Sequence, residues 1–137
     1  MASFNKFNDF VEQLGLEEHN LNTDTFKVML TNSAPVATNT VKTDITEISA
    51  GNGYTAGGDD ITNLYSENPA GTGEMTATDV TFTASGGSIG PFQYAVLYND
   101  TNASDRLFGW YDHGSAVTLA DGESFVVDFG SNLATIA

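Results

Sequence analysis

The sequence predicts a mainly β fold, an antiparallel β-sandwich (Ig-like or jelly-roll-like) with a short N-terminal α-helix. Three observations predict it. After residue 25, apolar and polar residues alternate in several short runs, the period of a strand. Gly, Asn and Asp punctuate those runs as turn formers. Before residue 25 the apolar spacing is three and four, the repeat of one helix face. Many short strands with frequent turns after one helix indicate a sandwich.

In chain order, Phe4, Phe7, Phe10, Val11 and Leu14 form the helical stripe, with Ser3 as the N-cap and Gly15 as the stop. Such a helix is too short to be stable alone and must dock on the β-core, a neighbouring subunit or another protein. Phe26, Val28 and Leu30 alternate with Lys27, Met29 and Thr31, which predicts a half-buried strand. Residues 74–84 read as a second strand. In residues 92–99 both alternating sets are fairly apolar, which predicts a central strand covered on both sides. Residues 106–112 follow a polar turn, Asp100 to Asp105, and complete a hairpin with it. Val117 and Leu119, then Asp121-Gly122, then Phe125, Val127 and Phe129 predict a second hairpin. Leu133 to Ile136 add a short last strand. A helical turn is expected within Asp44–Ile48. The domain division is residues 1–24 as helix and arm, then 25–137 as the sandwich, with a long irregular insertion at about 33–73. An insertion of that length predicts a working surface or a segment ordered by a partner.

Composition removes several functional classes. Length, 137 residues, suits one domain. Four Lys and Arg against 18 Asp and Glu give a formal net charge of −14, which predicts no nucleic-acid partner and no anionic membrane surface. No apolar run approaches the roughly 20 residues of a spanning helix. The opening MASFNKFNDF lacks the basic and apolar regions of a secretory leader, so none is expected. There is no cysteine, so disulfides, thiolate metal sites and a cysteine nucleophile are excluded.

No motif carries a convincing chemistry. Gly86-Gly87-Ser88-Ile89-Gly90 matches the G-x-S-x-G nucleophile elbow, but Pro91 and a strand follow where a helix is required, so a Gly-rich turn is the better reading. Gly51-Asn52-Gly53-Tyr54-Thr55-Ala56 matches a dinucleotide fingerprint, but Asp59 and Asp60 follow where a helix N-terminus should receive phosphate. Asp59 with Asp60, and Asp100 with Asp105 among Asn99 and Asn102, are oxygen-rich loops that calcium could use; ordinary turn chemistry explains them as well. His113 beside Asp112 is a weak signal for a base and a common strand-end residue. Trp110 and Tyr111, with Tyr94 and Tyr98, could form a sugar-stacking platform, against which stands ordinary core packing. No cofactor is expected, no metal site is assigned, and an enzyme is not expected.

A set of segments in fixed order carries a resemblance. They are residues 24–32 (DTFKVMLTN), 34–39 (APVATN), 44–48 (DITEI), 51–58 (GNGYTAGG), 90–100 (GPFQYAVLYND) and 109–112 (GWYD). This order resembles a family of virion structural proteins of tailed bacteriophages, most like capsid decoration (cement) proteins. A tail component is the rival within that family, and a surface carbohydrate-binding module using Trp110 and Tyr111 is a further alternative. The resemblance implies a non-enzymatic protein on the outer capsid surface, assembled in the bacterial host cytoplasm. It further implies the major capsid protein as partner and a small homo-oligomer, a trimer favoured. The expected contact residues are Phe4, Phe7 and Phe10 on the helix, and Asn52, Gly53 and Tyr54 in the Gly-rich loop.

Overall fold

A computed structural model describes residues 3–137. Met1 and Ala2, the start of the expected N-terminal arm, lie outside the described residues. The fold is mainly β, with antiparallel sheets and one short helix. In chain order the elements are β1 (Phe4–Lys6), α1 (Phe10–Gly15), β2 (Phe26–Thr31), β3 (Asp59–Asp60), β4 (Leu64–Glu67), β5 (Gly73–Thr76), β6 (Val80–Thr83), β7 (Ile89–Asn99), β8 (Leu107–Leu119), β9 (Ser124–Val127) and β10 (Ala134–Ile136). A single 3-10 turn spans Lys42–Asp44, slightly before the turn expected at Asp44–Ile48.

The main sheet has the order β1-β8-β7-β2-β3. Its centre is the predicted β7–β8 hairpin, with Val96 opposite Trp110 and Leu97 opposite Gly109. Both faces of this sheet are covered. Phe26, Val28, Leu30, Ala95, Leu97 and Phe108 belong to one core cluster. Met29, Val96, Tyr98 and Leu107 belong to a second cluster on the other side, with Phe7 and Ile45. β2 is therefore buried on both faces rather than half-buried. Phe92 shares the first cluster with Ala95 and Leu97, against simple alternation, because the β7–β8 register shifts on either side of it.

The second layer contains two smaller sheets, β10-β5-β4 and β6-β9. Met75, Val80, Phe82, Val127 and Leu133 from this part of the chain pack into the same cluster as the inner face of the main sheet. A shared core between opposed sheets is the packing a sandwich requires.

Four further expectations change. The N-terminal stripe is not one helix. β1 pairs with β8, Phe4 opposite Tyr111, and the helix begins only at Phe10. Gly109 explains the exchange: a Cβ there would collide with the Phe4 ring and the Asn5 carbonyl, so the missing side chain makes room for β1. Ser3 accordingly caps nothing, and Asp9 stands at the N-cap position. The predicted hairpin across Asp121-Gly122 is a turn without a hairpin. Glu123 N–H bonds to Ala120 oxygen at 2.9 Å, but β9 then pairs with β6, carrying the chain to the other layer. The strand expected over residues 74–84 is divided into β5 and β6. The insertion at about 33–73 is less irregular than expected, since it contains β3, β4 and the start of β5.

Candidate functional site

The expected contact residues divide sharply. Phe7 is fully buried, its ring centroid 4.6 Å from that of Trp110. Phe10 is buried and stacks on Phe108 at 4.3 Å. Phe4 is half-buried and packs edge-on to the same Phe108 at 5.3 Å. The three phenylalanines thus anchor the chain to itself: Phe7 and Phe10 are buried, and Phe4 keeps part of its ring at the surface. The physical reason lies in β1 and α1: strand geometry sends Phe4 and Phe7 to opposite faces of the main sheet, where each finds a core to enter.

Tyr54 is likewise an internal tie. Its buried hydroxyl donates to Glu47 Oε1 at 2.7 Å and accepts from the Leu30 N–H at 3.0 Å. The same Glu47 oxygen accepts the Gly57 N–H at 2.5 Å. Tyr98 hydroxyl donates to the Gly57 carbonyl at 2.6 Å, with Lys42 Nζ 4.9 Å above its ring. Burial pushes both phenols well above their ordinary range, so both remain neutral donors. β3 pairs only with the first part of β2, and beyond it Tyr54 and the Ile48 N–H satisfy Leu30's outward backbone groups. The Gly-rich loop is therefore an edge cover for β2. Asn52 and Gly53 remain exposed at its tip, where Asn52 Nδ2 donates to the Ser88 carbonyl at 2.9 Å.

Trp110 and Tyr111 do not form one platform. As neighbours on β8 they point to opposite faces, Trp110 to the cluster of Phe7 and Tyr111 to the main core. Ser88 and His113 do not meet either. Ile89 faces Leu119 in register, while Tyr94 faces Asp112, so the two lie on the order of 20 Å apart along β8. The oxygen-rich loops are used internally: Asp100 pairs with Lys27 at 3.2 Å, Asn99 is buried, and Asp60 accepts the Thr62 N–H at 2.7 Å. Among the described residues, no group of three or more His, Asp or Glu side chains could hold a metal ion.

One concavity lies outside what the sequence predicts. A groove of about 570 Å³ lies where β9 diverges from β7 and β8. Phe92, Ala95, Tyr111, Phe125 and Val127 supply apolar surface, and Gln93, Asp112, His113 and Asp128 supply polar groups. Phe125 meets Phe92 at 5.1 Å and His113 at 5.4 Å, both edge-on. Asp112 accepts from Gln93 Nε2 at 3.0 Å and from the Gly114 N–H at 2.7 Å, and these bonds, Gln93 first, hold its carboxyl below the ordinary range. It is thus an acceptor rather than an acid. Burial, with the charges of Asp128 and Asp79, pushes the Tyr111 phenol up to about 12. The groove offers carboxylate acceptors and aromatic surface, with no Ser, Thr or Cys lining it to act as a nucleophile. The sequence hid it because β9 was expected to lie against β8, which would have filled the space.

Comparison with protein-family models, curated proteins and solved structures found no match.

Proposed function

We propose that the chain is a non-enzymatic structural protein of a tailed-phage virion, a capsid decoration protein that bridges major capsid subunits from outside, as a small oligomer with a trimer favoured. The resemblance of the ordered segments suggests the role. The observation that carries it physically is the disposition of charge. Of the four cationic side chains, Lys27 is paired with Asp100, Arg106 with Asp9, and Lys42 lies over Tyr98. Among the described residues, Lys6 is in neither ion pair, and 18 acidic residues stand against these four cations. The exterior is left strongly anionic. Such a surface repels packaged nucleic acid and attaches to an electropositive protein surface. Modest individual contacts suffice when many copies act on one shell.

Immunogold labelling of purified virions with an antibody to this chain tests the reading. Regular label over the head supports it; label over the tail transfers the protein to the rival tail role; unlabelled particles overturn it. Particles lacking the protein should rupture at lower temperature and milder osmotic shock than complete ones.

A further inference from the structure

The free edge of β9 defines the groove more closely than its side chains do. The Ala84 N–H bonds to the Glu123 oxygen at 2.9 Å, which sets the hydrogen-bond alternation between β6 and β9. Phe125 and Val127, opposite Phe82 and Val80, take the bonded positions, and Val126 turns its N–H and C=O outward. Among the described residues, β9 pairs with no second strand. Across the groove, β8 bows away. Phe92 faces Val117 and Tyr94 faces Asp112, so residues 113–116 of β8 stand opposite Gln93 alone. The space between is floored by apolar side chains and flanked by Asp112 and Asp128.

We propose that this groove receives an extended strand of another polypeptide, carrying a lysine or arginine, added antiparallel or parallel beside β9. The open edge supplies main-chain bonds through Val126, as strand addition requires. The charge selects the occupant. Asp112 and Asp128 each commit Oδ1 to a backbone amide, of Gly114 and Gly130, at 2.7 Å. Their second oxygens are the acceptors for a cation, and no Lys or Arg lines the groove to compete. Val126, 51% exposed, offers the incoming strand an apolar neighbour. A second copy of this chain is a poor occupant, since it carries the same −14 charge. The inference holds whether or not the chain belongs to a virion.

The test titrates the ¹⁵N-labelled full chain with the capped hexapeptide Lys-Val-Lys-Val-Lys-Val, with its Glu-Val counterpart, and with maltotriose. The expected result is saturable amide shifts from the lysine peptide alone, confined to residues 92–95, 112–116 and 124–128. Binding should weaken about fivefold in Asp112→Asn/Asp128→Asn, which removes charge and keeps the turn acceptors. Val126→Pro deletes the outward donor without touching a β6 bond and should also weaken binding. Shifts spread evenly over the acidic exterior, groove shifts with maltotriose but not with the peptide, or undiminished binding by a folded Val126→Pro protein would each overturn the proposal.

Discussion

His19 is the residue whose protonation the fold opposes most directly. It is 4% exposed and lies between the rings of Phe10, at 5.1 Å, and Phe26, at 5.7 Å. Asn99 Oδ1 accepts the Thr101 and Asn102 amides, so Asn99 Nδ2 is the donor toward His19 Nδ1. The neutral ring then carries its proton on Nε2, which has no partner among the described residues. Burial lowers the His19 pKa below the ordinary 6.5, outweighing the carboxylates of Asp24, Asp9 and Glu18, while Arg106 adds to the lowering. The unfolded chain therefore binds this proton first as pH falls. Stability is full above about 6.5 and declines below it, with a slope of at most about 1.4 kcal/mol per pH unit. Urea midpoints measured from pH 7 to pH 5 should fall for the native protein and fall less steeply for His19→Gln. Equal slopes would clear His19 as the cause. None of this is visible in the sequence, where His19 is one polar residue among Glu17, Glu18 and Asn20.

At the scale of elements, the loop from Ile45 to Gly58 does the work of an edge strand. Gly58, with φ +75°, lies so close to β2 that a Cβ would collide with the Val28 carbonyl. That approach is what lets Gly57 and Tyr54 reach Tyr98, Glu47 and Leu30. Tyr54→Phe removes one hydroxyl and leaves the Leu30 N–H without its partner in a buried site. The expected cost is about 1–3 kcal/mol in chemical denaturation, with hydrogen exchange accelerated at Leu30. An unchanged Leu30 exchange rate would show that the loop is not the cover. The glycines were legible as turns, and the region as something special. That it covers β2 is not legible, because a sequence shows that a segment bends and not which strand edge it bends onto. The same holds for Phe4, Phe7 and Phe10, whose three-residue spacing fits a helix face, yet Gly109 on a distant strand admits Phe4 as β1.

For the whole molecule, the balance of charge sets how stability responds to solvent. Among the described residues, two ion pairs, Lys27–Asp100 and Arg106–Asp9, bind few of the carboxylates, and the remainder repel one another across the surface. Raising ionic strength from about 0.01 M to 0.15 M shortens the screening length from about 30 Å to about 8 Å. Repulsion should weaken more than the pairs do, so thermal unfolding is expected about 2–5 °C higher in the saltier buffer. A midpoint that falls with salt would mean that the two pairs matter more than the self-repulsion.

Within this chain, alternation and composition alone determined the antiparallel β character, the β7–β8 hairpin, the double-sided burial of β7 and the anionic exterior. Each depends on neighbours within a few residues or on simple totals. Only the tertiary structure decided that β9 leaves β8 for β6, that the N-terminal phenylalanines turn inward, and that a groove opens where the expected hairpin is missing. Those outcomes depend on which distant backbone edge has room and unpaired groups, and local periodicity encodes a face without naming its partner.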